Sequence, residues 1–218
     1  MDSAWPQNVT EENNYLMEES MQYFRLLFLS FALLPLLVPE AWASARTWDV
    51  DAVHSNVYFS IDHIYSKVHG RFKQVQTQIA FDPKQLDQSR FAFTIKVDSV
   101  DTGEPKRDKH LLSPDFFDSG KFDLITFTST SITDSGNGVY NVAGTLNVKG
   151  ETHNLVLPLT FNGIKDHPAA KGKEVIGFNG QVTLDRLALN VGSGKFYKMG
   201  LIGKNVDVLV TIEALAGK

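Results

Sequence analysis

The sequence predicts an all-β fold, an antiparallel barrel of at least eight strands with short lid helices near residues 104–117. Three observations lead there. Apolar and polar residues alternate with period two in segment after segment, the turns between segments are hairpin-sized and carry glycine, and one longer connection holds helix-start signals. The 218 residues are 43% hydrophobic and 21% charged, which suits one globular core and excludes collagenous, disordered and polytopic membrane chains.

Residues 1–43 read as a leader. From Leu26 to Val38 the chain runs LLFLSFALLPLLV, uncharged, with Arg25 before it and Pro39-Glu40-Ala41-Trp42-Ala43 after it, the layout of a signal peptide. The run is shorter than the roughly 20 residues that span a bilayer, and Pro35 interrupts it, so no stable membrane insertion is expected. Ala41-Trp42-Ala43 is a small-x-small cleavage site that leaves Ser44 first; Ala43-Ser44-Ala45 is a second one that leaves Arg46. Residues 1–20 place Glu11, Glu12, Glu18 and Glu19 before the apolar run, the wrong sign for a signal n-region, so Met21 is the expected start. Export to a bacterial periplasm or the cell exterior follows, the periplasm being the expected compartment, with residues 44–218 as the domain.

That domain is nearly neutral. Six of the 25 acidic residues and one of the 21 basic ones fall within 1–43, which leaves 20 bases against 19 acids. Nucleic-acid binding needs clustered Lys and Arg to neutralise phosphates, and this balance argues against it. Cysteine is absent. Disulfide scaffolds, thiolate zinc sites, iron–sulfur clusters and Cys nucleophiles are thereby excluded, and an exported domain must be held by its core.

The strands follow in order. Val57, Phe59 and Ile61 alternate with Tyr58 and Ser60; Val75, Thr77, Ile79 and Phe81 with Gln74, Gln76 and Gln78; Phe91, Phe93, Ile95 and Val97 with Thr94, Lys96 and Asp98. Ile125 and Phe127 run into Ser129, and Tyr140, Val142, Leu146 and Val148 oppose Asn141, Thr145 and Asn147. Leu155 to Phe161, Ile176 to Leu184 and Val206 to Ala214 continue the pattern. Each strand therefore has one apolar and one wet face. Asp134 to Gly138 and Lys149-Gly150-Glu151 are hairpin turns, which makes their flanking strands antiparallel neighbours, and closing the meander removes its edges. Glu104 to Leu112 and Ser113 to Phe117 read as two short helices, with Pro105 and Pro114 in first-turn positions. Lys165 to Lys173 reads as a loop.

The 15 phenylalanines fall mostly on the apolar parity or on the lid. Small barrels either fill with side chains or enclose one apolar ligand, and alternation alone leaves both open. Three functions are open to such a barrel. A lipid carrier needs an apolar lumen; a hydrolase acting on a lipid needs a polar triad inside it; a pore needs apolar residues outward. Gln74, Gln76, Gln78, Lys96 and Asp207 occupy the outer face and exclude the pore. Ser55, Ser60 and Ser99 have His or Asp neighbours in the chain, but no G-x-S-x-G elbow presents a nucleophile, so no catalytic set is assigned. His54, His63 and His69 cluster in sequence without a ligand pattern, and no metal site is expected.

Several tracts together resemble the YceI-like family of lipocalin-like, polyisoprenoid-binding periplasmic proteins, over essentially all of residues 47–215. They are Trp48 to Asp51, His54 to His63, Val68 to Phe72, Ile125 to Ser129 and Gly144 to Gly150; the most specific is Asp98-Ser99-Val100-Asp101-Thr102-Gly103, followed by Arg107 to Leu111 and Asp115 to Asp118. Where the family usually has Arg-x-x-Phe-Gly after the penultimate long strand, this chain departs, with Asp185-Arg186-Leu187-Ala188-Leu189-Asn190-Val191-Gly192. The resemblance implies an extended eight-stranded antiparallel lipocalin-like barrel holding a long isoprenoid chain, such as a polyprenyl diphosphate or a quinone tail. No other cofactor is implied, and a role in stress response or lipid and quinone handling is expected.

With the cavity that the resemblance implies, the lumen contacts expected are Val57, Phe59, Ile61, Phe72, Ile79, Phe91, Phe93, Ile95, Phe116, Phe127, Val142, Leu146, Leu157 and Phe178. Arg71, Arg107 and Lys109 are the candidate head-group cations, because guanidinium forks and ammonium groups suit phosphate oxygens. The competing role for Arg107 and Asp108 is to tie the lid to the barrel, with His110 bonded to a nearby backbone group. A lipid hydrolase is the alternative function, and a homodimer is the assembly considered.

Overall fold

The alternating segments form one antiparallel sheet of eleven strand segments in a computed structural model, which describes residues 45–218. The segments are β1 (Thr47–Val50), β2 (Asn56–His63), β3 (Ser66–Phe72), β4 (Val75–Ala80), β5 (Arg90–Lys96), β6 (Val100–Asp101), β7 (Leu124–Asp134), β8 (Val139–Val148), β9 (Glu151–Asp166), β10 (Lys173–Asp185) and β11 (Ile202–Gly217). Two helices join them, α1 (Pro105–Leu112) and α2 (Lys195–Lys198). The leader, its cleavage sites and the start at Met21 lie outside the described residues.

Three pairs of segments are single bent strands. β1 pairs with one end of β11 (Val50 opposite Ala214) and β2 with the rest (Thr211 opposite Asn56). In the same way β3 and β4 lie along β2 and β1, and β5 and β6 lie along β4 and β3. Merging the pairs turns the eleven segments into the predicted closed eight-stranded antiparallel barrel. Closure leaves no long unpaired edge.

Local chemistry explains the turns. Lys149 and Gly150 both sit at positive φ, 52° and 75°, which is the two-residue hairpin whose twist matches antiparallel strands. α1 begins where Glu104 accepts a hydrogen bond from the Lys106 N–H at 3.1 Å, with Pro105 in the first turn. It ends at Ser113, whose backbone is extended (φ −70°, ψ 166°) because Pro114 follows. That ending corrects one expectation: Ser113 to Phe117 form turns rather than a second helix, with the Phe116 N–H donating to Ser113 O at 3.0 Å. Residues 66–72, where no alternation was read, form strand β3, which pairs with β2 across a two-residue turn at Ile64 and Tyr65. Its Lys67, His69 and Arg71 are polar and its apolar residues few, so its period was masked.

The antiparallel order brings residues 64–65, 102–123, 149–150 and 186–201 to one end of the barrel, and residues 81–89, 135–138 and 167–172 to the other. The second end is filled by an aromatic plug. Phe81 is the hub, with ring centroids 5.9 Å from Phe91, 5.2 Å from Tyr140, 5.6 Å from Phe161 and 5.0 Å from Phe178. Trp48 closes it from the side and donates its Nε1–H to Phe81 O at 3.0 Å. Burying each such ring contributes about 1.5–3 kcal/mol, so this end carries much of the stability.

Candidate functional site

Beyond the plug the lumen is hollow. A cavity of about 810 Å³ fills the other half of the barrel and opens between the loops of that end. It lies within the ~300–1,000 Å³ range of small-molecule sites. Its wall comes from the inward parity of eight strand segments: Val57, Phe59 and Ile61 of β2, Val68 and Phe72 of β3, Phe93 and Ile95 of β5, Ile125 and Phe127 of β7, Leu146 and Val148 of β8, Leu155 and Leu157 of β9, Val182 and Leu184 of β10, and Val206, Val208 and Val210 of β11. Every one of these side chains is apolar, so this part of the wall rewards burial of hydrocarbon.

Of the expected lumen contacts, Val57, Phe59, Ile61, Phe72, Phe93, Ile95, Phe116, Phe127, Leu146 and Leu157 line this cavity. Ile79, Phe91, Val142 and Phe178 do not. They share the inward parity but sit at 1% exposure or less in the plug, where rings from neighbouring strands meet and leave no space. Parity sets the face a side chain takes; position along the barrel axis decides whether it meets a neighbour or a void.

The mouth is covered by α1, the turns after it, and residues 186–201. Phe116 stacks on Phe196 (6.1 Å, 10°), and His110 meets both rings edge-on. Lys149 Nζ donates to Phe116 O at 2.6 Å and to Asn190 O at 2.9 Å, which ties the two covers together. Asn190 stands at φ 56°, a backbone that asparagine tolerates better than most residues.

The candidate head-group cations separate. Arg107 lines the cavity, donating through Nε to Thr102 Oγ1 at 2.8 Å and through Nη2 to Thr102 O at 2.9 Å. Asp108 accepts from the Thr102 N–H at 3.0 Å, so both residues anchor α1 to the end of β6. His110 bonds the Asp115 carboxylate at 3.2 Å instead of a backbone group. Arg71 is a correction. It lies opposite Tyr58 on the exposed face, next to inward Phe72, and a one-residue offset in a strand reverses the face. Lys109 is exposed on α1 and does not line the cavity.

Two basic residues of the cavity, Lys106 and Arg186, were not among the expected contacts. Lys106 borders the mouth. Arg186 lies within the wall itself at 4% exposure, with Nε donating to Gly203 O at 2.8 Å and Nη1 to Val191 O at 2.9 Å. Burial pushes its pKa down. A signal was present: Ile176, Phe178, Val182 and Leu184 share the inward parity, and one more step of two reaches Arg186. Neighbouring Asp185 faces Lys204 at 3.1 Å, and this contact holds the carboxyl below and the amine above their usual values.

The histidines do not assemble. His63 borders the cavity and His69 lies on the outer face, opposite Ser60. His54 instead meets Asp51 at 2.8 Å near Glu213, in a group whose ligand-type atoms lie within 4.8 Å of one another. The Asp51 carboxylate raises the His54 pKa, and His54 lowers that of Asp51.

Residues 48–214 match the YceI-like domain. The chain belongs to the YceI-like family. A UPF0312 protein of Staphylococcus epidermidis is 35% identical over 169 residues, which are 76% of this chain and 95% of that one. Among solved structures, BcnA of Burkholderia cenocepacia is 28% identical with a TM-score of 0.68, covering 76% of this chain and 99% of BcnA. A polyisoprenoid binding domain from Saccharophagus degradans, implicated in plant cell wall breakdown, shares the fold at 15% identity and a TM-score of 0.57, covering 78% and 98% of the two chains. The YceI-like barrel of this chain has its apolar cavity at the hollow end.

Proposed function

We propose that this protein is a periplasmic carrier that encloses one long isoprenoid-like chain in the barrel. The observation that carries the reading is the apolar cavity of about 810 Å³ above a packed aromatic floor, open at one end. Such a space accepts hydrocarbon of any head group that can sit at the mouth. Each buried methylene contributes about 0.8 kcal/mol, so a long chain binds tightly with few polar contacts. Methyl-branched unsaturated chains suit a wall of Phe, Val, Leu and Ile. The Saccharophagus degradans domain, described as polyisoprenoid binding, supports the same ligand class here. Export rests on the leader, and delivery of a water-insoluble chain across an aqueous compartment is the task such a cavity serves.

The test is native mass spectrometry of the purified protein before and after organic extraction, with a calorimetric melt of each sample. A copurified prenyl lipid should leave on extraction, the melting temperature should fall, and re-addition should restore it through linkage of binding to stability. A ligand-free protein with an unchanged melt and no uptake would reject the carrier. Turnover of prenyl diphosphates or long-chain esters on incubation would favour the hydrolase instead. N-terminal sequencing of the periplasmic fraction should begin at Ser44 or Arg46; cytosolic protein that retains residues 26–43 would refute export.

A further inference from the structure

Arg186 is a buried cation without an anion. Its guanidinium spends Nε and Nη1 on two neutral carbonyls, Gly203 O and Val191 O, and among the described residues Nη2 has no hydrogen-bond partner. Among the described residues no carboxylate pairs with it: the adjacent Asp185 is committed to Lys204 Nζ and to the Leu187 N–H at 2.9 Å. Only 4% of the residue is exposed. Guanidinium keeps its charge even when burial lowers its pKa. An unpaired charge in a low-dielectric wall is costly, and so is a buried donor left unmade. Both costs are relieved by one thing, an oxyanion arriving through the cavity that Arg186 lines.

The side chain is held ready for it. The two carbonyl bonds fix the guanidinium plane, and Gly192 leaves it room: a Cβ there would lie 2.4 Å from Nη1. Lys106 and Arg107 border the same cavity, whereas Glu104 is engaged in capping α1. Positive charge therefore gathers at the mouth end and hydrocarbon along the rest of the wall.

Resting on the carrier reading, we propose that Arg186 anchors the anionic head group, a phosphate or a carboxylate, of the chain held in the cavity. Nη2 forms a charge-assisted hydrogen bond to the head-group oxygen while the tail runs along the wall toward the plug. The bonds to Gly203 and Val191 also brace the loop after β10, so the test reads head-group preference, which bracing alone would not set.

Titration calorimetry of the delipidated protein would use four probes: geranylgeranyl phosphate, geranylgeranoic acid, geranylgeraniol and inorganic phosphate. The wild type should bind the phosphate, the acid or both at least tenfold more tightly than the alcohol, the acidic probe preferred naming the head group. Arg186→Gln should reduce that preference to near unity with alcohol binding kept, and Arg186→Lys should restore part of it. Equal binding of all three prenyl probes, a preference that survives Arg186→Gln, or inorganic phosphate binding as tightly as the prenyl phosphate would overturn the proposal. Failure of every prenyl probe to bind would reject the carrier reading instead. Should Arg186→Gln fail to fold, the Arg186 Nε–Hε resonance of the wild type decides: it should shift with an acidic prenyl probe but not with the alcohol, and no shift would refute the anchor.

Discussion

Phe81 and Phe178 meet edge to face with ring centroids 5.0 Å apart, and together they mark the floor of the cavity. On each contributing strand the change from wall to plug takes one or two inward steps: Phe93 to Phe91 on β5, Leu157 to Leu159 on β9, Val182 to Phe178 on β10 and Val210 to Ile212 on β11. A barrel that is solid at one end and hollow at the other keeps its stability and its ligand space in separate places.

That separation predicts different costs for similar truncations. Phe178→Ala removes a fully buried ring with several aromatic neighbours and should destabilise by about 3–5 kcal/mol. Leu155→Ala, at the half-buried wall, should cost clearly less. Urea denaturation of both variants measures the difference; equal losses would mean that the two halves are packed alike.

Facing predicts a second contrast. Phe93→Asp places an unpaired carboxylate inside and should cost on the order of 3–5 kcal/mol, whereas Gln76→Asp on the exposed face should stay within about 0.5 kcal/mol. Thermal melts that tolerate both would contradict the assignment of faces.

Gly144 predicts a steric effect. A Cβ there would lie 2.3 Å from Thr128 O and 2.7 Å from the Phe127 ring, and the backbone oxygen cannot yield without disturbing the β7–β8 ladder. Gly144→Ala should destabilise by about 1–3 kcal/mol. Because Phe127 lines the cavity, ligand uptake should fall as well, read from the mass of extractable lipid.

The Asp51–His54 contact predicts a pH window. His54 titrates above its ordinary value because Asp51 accepts its hydrogen bond, so its contribution is complete below the unfolded imidazole value and is lost as pH rises through the raised one. Asp51 titrates below its ordinary value, so its contribution is present above the unfolded carboxyl value and is lost as pH falls through the depressed one. The turn between β1 and β2 should be tightest between those limits. An NMR titration should find His54 raised and Asp51→Asn should return it toward about 6.5; an unmoved His54 in that variant would exclude the pairing.

Much of this architecture was legible in the residues. The period of two is a local property of extended backbone, so inward Val57, Phe93, Leu146 and Val208 declared their face without reference to any other strand. β3 was not legible, because Lys67, His69 and Arg71 hide its few apolar residues, and its pairing with β2 comes from the hairpin at Ile64 and Tyr65 rather than from its own pattern.

The sequence by itself determined an all-β chain of one-faced strands with α1 started by Glu104 and Pro105, since alternation and helix capping act over a few residues. Only the tertiary structure decided which inward residues fill space and which enclose it. Phe91, Tyr140, Phe161 and Phe178 come from separate strands and Phe81 from the loop after β4, and they occlude the lumen only because closure brings their rings to one level. Closure likewise decided the fate of the cations. Arg71 turns outward on a strand whose register is set by its neighbours, while Arg186, one inward step beyond Leu184, is enclosed by loops that fold back over it and becomes the buried charge of the cavity wall.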